Sequence, residues 1–294
     1  MRETQKRGIS LSSFKGPKDK IKSTITGIRY LKRMSSEVVV YRIMPNFLMN
    51  IMQKYFRLEI EGLENIPKNG GAIIAPNHSG FAGFDAMILT HEIFKGKHRI
   101  PRVLTHYLWF ITKATSIPAN KMGYIEATTE NGLKELQKGH LIILFPEGEN
   151  GNFKPTSKAY TLQEFKRGFV RMALNTNTPI IPTIVIGAEE TNINLKQLKL
   201  GKYLPGLTLP LPMNVIPLPV KWKIKFLPPI FLDEAPGTVN DRARVKEIAD
   251  EIQSTLQQAI NTELQNRPGI FIERPQWLDT IIKELTKVVR DKSK

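Results

Sequence analysis

Short apolar runs separated by amphipathic stretches fill the middle of the chain. Before them, apolar residues recur at three- and four-residue spacing through Val40, Ile43, Met44, Phe47, Leu48, Ile51, Met52, Tyr55 and Phe56. That spacing predicts one or two helices bent near Pro45. From Arg57 the pattern becomes an αβ alternation. Strands are predicted at Leu58–Ile60, Ala72–Ala75, Arg102–Leu104, Leu141–Phe145 and Ile180–Ile186, and helices at Asp85–Phe94, Glu130–Gln137 and Phe165–Leu174. Continuous apolar strands alternating with helices imply an α/β fold with a mostly parallel central sheet flanked by helices. Functional residues in such sheets stand in the loops at the carboxyl ends of the strands.

Tyr203–Pro229 differs, because seven prolines interrupt its Leu, Met, Ile and Val residues. A helix is excluded for most of it, and Val220–Phe226 reads as a strand. The remainder is expected as an apolar surface loop, either folded over the core or serving as a binding or membrane face. Further on, Val245, Ile248, Ala249, Ile252, Leu256, Ala259 and Ile260 predict an amphipathic helix. Asn240 or Asp241 caps its start, and Pro268 and Gly269 stop it. The pattern repeats from Trp277 to Val289, where core docking is the expected role.

Of 294 residues, 41% are hydrophobic and 24% charged, so the chain has material for a packed core. The absence of cysteine excludes a disulfide scaffold, a thiolate metal site and a cysteine nucleophile. A net charge of +16 points to a polyanionic partner. Ten basic and two acidic residues lie between Met1 and Arg33, so half of the excess sits in a basic arm. Two segments follow: residues 1–56, a basic arm and amphipathic helical segment for membrane association, and residues 57–294, one domain with C-terminal helices. The amphipathic stripe can pack on that domain or enter the lipid boundary. With no long uninterrupted apolar stretch and no secretory signal, the expected location is the cytoplasmic face of a membrane, peripherally attached. Nucleic acid is a poor candidate partner, because the arm lacks interleaved aromatic residues and no groove-reading motif occurs.

Signatures of serine hydrolases, P-loop nucleotidases, dinucleotide-binding enzymes and zinc proteases are absent. What remains is Ala75-Pro76-Asn77-His78-Ser79-Gly80-Phe81-Ala82-Gly83-Phe84-Asp85, where a strand ends and a helix begins. An imidazole there can take a proton from a hydroxyl, and a nearby carboxylate fixes its tautomer and stabilises the imidazolium. The alternative roles are a helix cap for Asp85 and a backbone hydrogen bond for His78. Downstream, Leu141-Ile142-Ile143-Leu144-Phe145-Pro146-Glu147-Gly148 carries a carboxylate and a glycine to the carboxyl end of an apolar strand. His91, His98, His106 and His140 are scattered without metal-ligand spacing, so no metal is expected.

Asn-His with a following Asp, then Phe-Pro-Glu-Gly, then an apolar strand with an internal proline at Pro182 resemble the glycerolipid acyltransferase family that includes lysophosphatidic acid acyltransferases. The resemblance runs from about Leu58 to Ile230. It implies His78 as general base and Asp85 as its partner, Glu147 and Gly148 lining the acceptor pocket, and Pro182 shaping its wall. It also implies a lipid acceptor such as lysophosphatidate or another glycerolipid, with acyl-CoA or acyl carrier protein as donor and no further cofactor. A non-catalytic lipid-binding or tethering protein with this fold is the alternative.

Three departures from the family pattern shape the acceptor question. Six residues, rather than four, separate His78 from Asp85. Where the second block usually ends in arginine, only Lys121 is available, and Glu149 and Asn150 stand where a Thr or Ser and an Arg usually follow the Phe-Pro-Glu-Gly block. Losing both guanidinium forks removes the bidentate phosphate grips and makes a neutral acceptor credible. Lys154, Lys158, Lys166, Arg167 and Arg171 follow closely and offer a different phosphate site, with Lys154 and Arg167 its chosen members.

Overall fold

The computed structural model describes residues 44–78, 83–152, 154–199, 208–214 and 216–267. The basic arm, the stripe before Met44 and the predicted helix near Trp277–Val289 lie outside the described residues. The chain divides into two compact units, 1–48 and 49–294. Of the first, only the opening residues of the helix Met44–Tyr55 (α1) are described. Pro45 occupies the first turn of α1, where its missing N–H would have had no partner in any case, so it starts this helix and does not bend it.

The second unit is built on seven strands: Glu59–Glu61 (β1), Ala72–Pro76 (β2), Arg102–Thr105 (β3), Tyr124–Glu126 (β4), Leu141–Ile143 (β5), Ile180–Ile186 (β6) and Lys223–Phe226, the ninth strand in chain order and hence β9. Their order is β1-β9-β6-β2-β5-β3-β4. Every neighbouring pair is parallel except β6 with β9. The expected mostly parallel α/β sheet is therefore present. Alternation places Ile73, Ala75, Ile142, Ile180 and Ile184 in the core on one face, and Ala72, Ile74, Leu141, Ile143, Ile181 and Val185 in the core on the other. Both faces are dry, which is why these strands read as unbroken apolar runs.

Helices cover the two faces. The first face packs on Gly168–Thr176 and Arg242–Gln265, through Phe169, Val170, Val245, Ile252 and Leu256. The second packs on α1 and on Phe84–Lys97 (α2), through Met52, Phe56, Ile88, Leu89 and Ile93. Lys113–Lys121 (α3) and Thr129–Gln137 (α4) connect the edge strands, capped by the Thr112 and Thr128 hydroxyls. The sequence pattern misses α3, since Pro118 lies inside it and its apolar content is low. In chain order Gly168–Thr176 is α5, the short helix Ala188–Thr191 is α6, and Arg242–Gln265 is α7. Asp241 caps α7 by accepting from the Ala243 and Arg244 N–H groups at 2.9 and 3.1 Å.

The proline-rich segment departs most from its expectation as a loop. Asn194–Lys199 (β7) and Thr208–Pro212 (β8) pair antiparallel into a separate two-stranded sheet. Pro210 and Pro212 are tolerated because each lies on a strand with only one partner. Downstream, Trp222 and β9 enter the core as predicted for Val220–Phe226, and Trp222 stacks on Phe56 with ring centroids 4.6 Å apart. Its indole N–H donates to the Thr191 hydroxyl at 2.8 Å. Truncating Phe56 to Ala should cost about 3–5 kcal/mol, read as a lower urea midpoint at unchanged m value.

Candidate active site

β2 and β5 are adjacent and parallel, so their carboxyl ends deliver residues 77–78 and 144–148 side by side. The Leu144 N–H donates to the Ile74 carbonyl at 3.1 Å, extending this pairing one residue past β5. Beyond it, the Phe145 ring stacks on the His78 imidazole, with centroids 4.0 Å apart and planes at 23°. Such a contact fixes the ring plane.

The six-residue interval does not prevent the His–Asp contact. Asp85, in the first turn of α2, places Oδ2 2.8 Å from His78 Nδ1. Its other oxygen accepts the Ala86 N–H at 2.8 Å. Gly83 enters α2 with φ of 72°, a left-handed conformation that suits glycine and turns the chain so that Asp85 faces back toward β2. Asp85 is only 1% exposed, so the pair is held in a low-dielectric setting. With Nδ1 engaged by the carboxylate, Nε2 is the ring nitrogen left for another partner.

His78 and Asp85 stand on the wall of a cavity of about 850 Å³. Apolar groups from five segments of the chain line it, among them Leu104, Trp109, Tyr124, Leu144, Phe169 and Met172. Burial, reinforced by the nearby Asp85 charge, pushes the Tyr124 phenol well above its ordinary pKa and keeps it neutral. Lys166 and Arg171 bring positive charge to the same wall. Lys166 pairs with Glu149. Burial works against ionisation of Glu149, but the hydrogen bond from Lys166, a backbone hydrogen bond and the Lys166 charge leave its pKa below the usual value.

The sequence-predicted binding residues divide sharply. Gly148 lines the cavity, with φ of 56°, and an added Cβ would meet Lys166 Cε at 2.7 Å. Glu147 does not line it. Its carboxylate is fully buried, accepts the His78 N–H at 3.0 Å through Oε1 and the Gln163 N–H at 2.8 Å through Oε2, and so braces the histidine from behind. Lys154 is a second correction. It leaves the surface cluster and donates to Glu147 and Glu189 at 3.2 Å each and to the Thr161 carbonyl at 3.3 Å. Its three N–H groups are matched by three acceptors, which is what allows an ammonium to stay buried.

Arg167 pairs with Glu164 at 3.1 Å, outside the cavity lining. Lys121 ends α3, also away from that wall. Pro182 is buried inside β6, one residue before its antiparallel pairing with β9 begins, and shapes the sheet and not the cavity. Among the described residues no group of three or more metal-ligating side chains occurs. His106, read as incidental in sequence, lines the cavity, and its Nδ1 accepts the Leu108 N–H at 3.4 Å.

Sequence reasoning gives no role to Asn77 and Glu189. The Asn77 amide spans β6 by accepting from the Val185 N–H at 2.7 Å and donating to its carbonyl at 3.0 Å. Its amide N–H also reaches Glu189 at 3.4 Å, and Glu189 in turn accepts the Tyr160 N–H at 3.0 Å. Burial raises the pKa of Glu189, and Lys154 counters it. Asn77 was legible as the neighbour of His78, whereas nothing local marks Glu189.

Similarity to known proteins fits this geometry. The Acyltransferase family profile matches residues 57–186. An uncharacterized protein of Mycobacterium tuberculosis is 35% identical over 242 residues, covering 78% of this chain and 68% of that protein. A Bos taurus protein described as a DGAT1/2-independent enzyme synthesizing storage lipids is 27% identical over 146 residues, 50% of this chain and 43% of that one. The crystal structure of the 1-acyl-sn-glycerophosphate acyltransferase PlsC from Thermotoga maritima shares the fold, with a TM-score of 0.53 at 15% identity over 85% of this chain and 90% of its own. The chain belongs to the PlsC-like acyltransferase family and is an acyltransferase.

Replacing Lys154 with Met should leave Glu147 and Glu189 buried without their cation and cost about 3–5 kcal/mol in urea unfolding. Adding a methyl at Gly151, where a Cβ would collide with the Glu147 side chain, should disturb the same network. Acyl transfer by Gly151→Ala protein is expected to fall even where the fold survives.

Proposed function

We propose that this enzyme transfers a fatty acyl group from an acyl thioester to a glycerolipid hydroxyl, with His78 as general base. The observation that carries this reading is the 2.8 Å contact between His78 Nδ1 and the buried Asp85 carboxylate beside a cavity large enough for a lipid. The acceptor hydroxyl gives its proton to His78 Nε2 as its oxygen attacks the thioester carbonyl carbon. Asp85 stabilises the imidazolium that forms. Collapse of the tetrahedral intermediate breaks the carbon–sulfur bond, and the imidazolium returns the proton to the departing thiolate. No covalent enzyme intermediate is needed.

The donor is a thioester of coenzyme A or acyl carrier protein, and the enzyme works peripherally on an anionic membrane that holds acceptor and product. No described helix is long and apolar enough to cross a membrane. Lysophosphatidate and a neutral diacylglycerol are the two acceptors to compare. Arg171, on the cavity wall with no carboxylate partner among the described residues, favours a phosphate, while the missing family arginines favour a neutral headgroup.

The test is coenzyme A release from palmitoyl-coenzyme A, each acceptor being supplied separately in mixed micelles. His78→Ala should lower turnover by about two to four orders of magnitude, and Asp85→Asn should lower it while leaving KM for the acceptor nearly unchanged. Wild-type turnover by folded His78→Ala protein would sink the mechanism. Acceptor binding without turnover on either carrier would favour a non-catalytic lipid-binding protein.

A further inference from the structure

The β7–β8 sheet hydrogen-bonds to none of the seven strands of the main sheet. Isolated two-stranded hairpins are only marginally stable in water, and they persist when a face is covered. Here apolar side chains are exposed on and beside the hairpin: Leu195 at 59%, Leu198 at 38%, Leu211 at 44%, Met213 at 66% and Ile216 at 78%. The pairing of Lys196 with Leu211 and of Leu198 with Leu209 puts Leu198 and Leu211 on one face. The bulge between Asn194 and Lys196 leaves Leu195 without a cross-strand partner, and Lys196 shares the face of Leu198 and Leu211. Leucines and a lysine on one face suit the boundary of a lipid surface, where apolar and cationic groups are both satisfied.

Charge selects the kind of lipid. From Thr191 to Leu232 the chain has no Asp or Glu, although it carries six lysines. Lys196 is exposed on the hairpin itself and has no carboxylate partner among the described residues, unlike Lys221, Lys223 and Lys225, which pair with Glu59, Glu61 and Glu263. Exposed apolar side chains beside Lys196 fit the boundary between acyl chains and anionic headgroups. The root of the hairpin is firmly held. The Asn194 N–H donates to the Thr156 hydroxyl at 2.9 Å, and the Tyr55 hydroxyl donates to the Pro217 carbonyl at 2.6 Å.

We infer that the β7–β8 hairpin is a membrane-entry element that inserts Leu195, Leu211, Met213 and Ile216 into the interface of an anionic bilayer. It rests on the proposed function only in supposing that the acceptor is a membrane lipid. Through Thr156 and Lys154, the insertion point is joined to the segment that holds Glu147 and so His78.

The cysteine-free chain makes the test direct. Met213→Cys and Leu195→Cys proteins carry an environment-sensitive fluorophore, with the same label at Lys246→Cys on α7 as control. They are mixed with phosphatidylcholine vesicles with and without phosphatidylglycerol. Blue-shifted, brighter emission at positions 213 and 195 only, and only with phosphatidylglycerol, is the expected result. The Leu195→Ser, Leu211→Ser, Met213→Ser triple variant should lower vesicle partition by roughly tenfold. It should also release coenzyme A at the wild-type rate from a short-chain donor with a water-soluble acceptor. Vesicle flotation without an emission change, no flotation on either vesicle, loss of the soluble turnover, or dissociation of a wild-type dimer by the triple variant would each overturn the proposal. His78→Ala protein should float like wild type, so a failure of acyl transfer reads out separately from a failure of docking.

Discussion

The buried ammonium of Lys154 between the carboxylates of Glu147 and Glu189 is the interaction on which the site depends. Burial disfavours the ionised carboxylates and pushes the pKa of Glu189 up, with a smaller contribution from the Glu147 charge. One matched cation lets both accept backbone hydrogen bonds. Glu147 then holds the N–H of His78, and Glu189 holds Tyr160. The loop after β2 and the segment after β5 thus become a single scaffold behind the imidazole. The histidine is fixed from three sides: through its backbone by Glu147, through Nδ1 by Asp85, and through its ring face by Phe145.

This arrangement recasts the glutamate of the Phe-Pro-Glu-Gly block. Facing the cavity, it would repel the phosphate or carbonyl oxygens of a substrate. Turned inward, it contributes through rigidity, which matters because proton transfer needs the base within hydrogen-bond reach of the hydroxyl. The cavity draws its positive groups from another part of the chain, Lys166 just before α5 and Arg171 in its first turn.

Much of the fold is legible without coordinates because a sheet buried on both faces writes itself as apolar runs. The strands beginning at Ala72, Leu141 and Ile180 and the helix starting at Arg242 are of this kind. Less legible are α3, with its internal proline, and β7, whose Leu-Lys pairs recur at three-residue spacing on a ribbon outside the main sheet. The insertion of β9 between β1 and β6, parallel to the first and antiparallel to the second, follows from the long return of the chain after the hairpin, which no local pattern encodes.

For the site, the sequence by itself determined the candidate pair, His78 and Asp85, and the two loops that meet. Both follow from local order along the chain: strand, polar residue, glycine-rich turn, helix. Tertiary structure decided which charges are buried, and it moved Lys154 from a surface cluster into the core, turned Glu147 away from the cavity and recruited Glu189 from the far end of β6. The physical reason is that desolvation and ion pairing depend on which distant segments enclose a side chain. A lysine flanked by polar residues reads the same in sequence whether water or two carboxylates surround it.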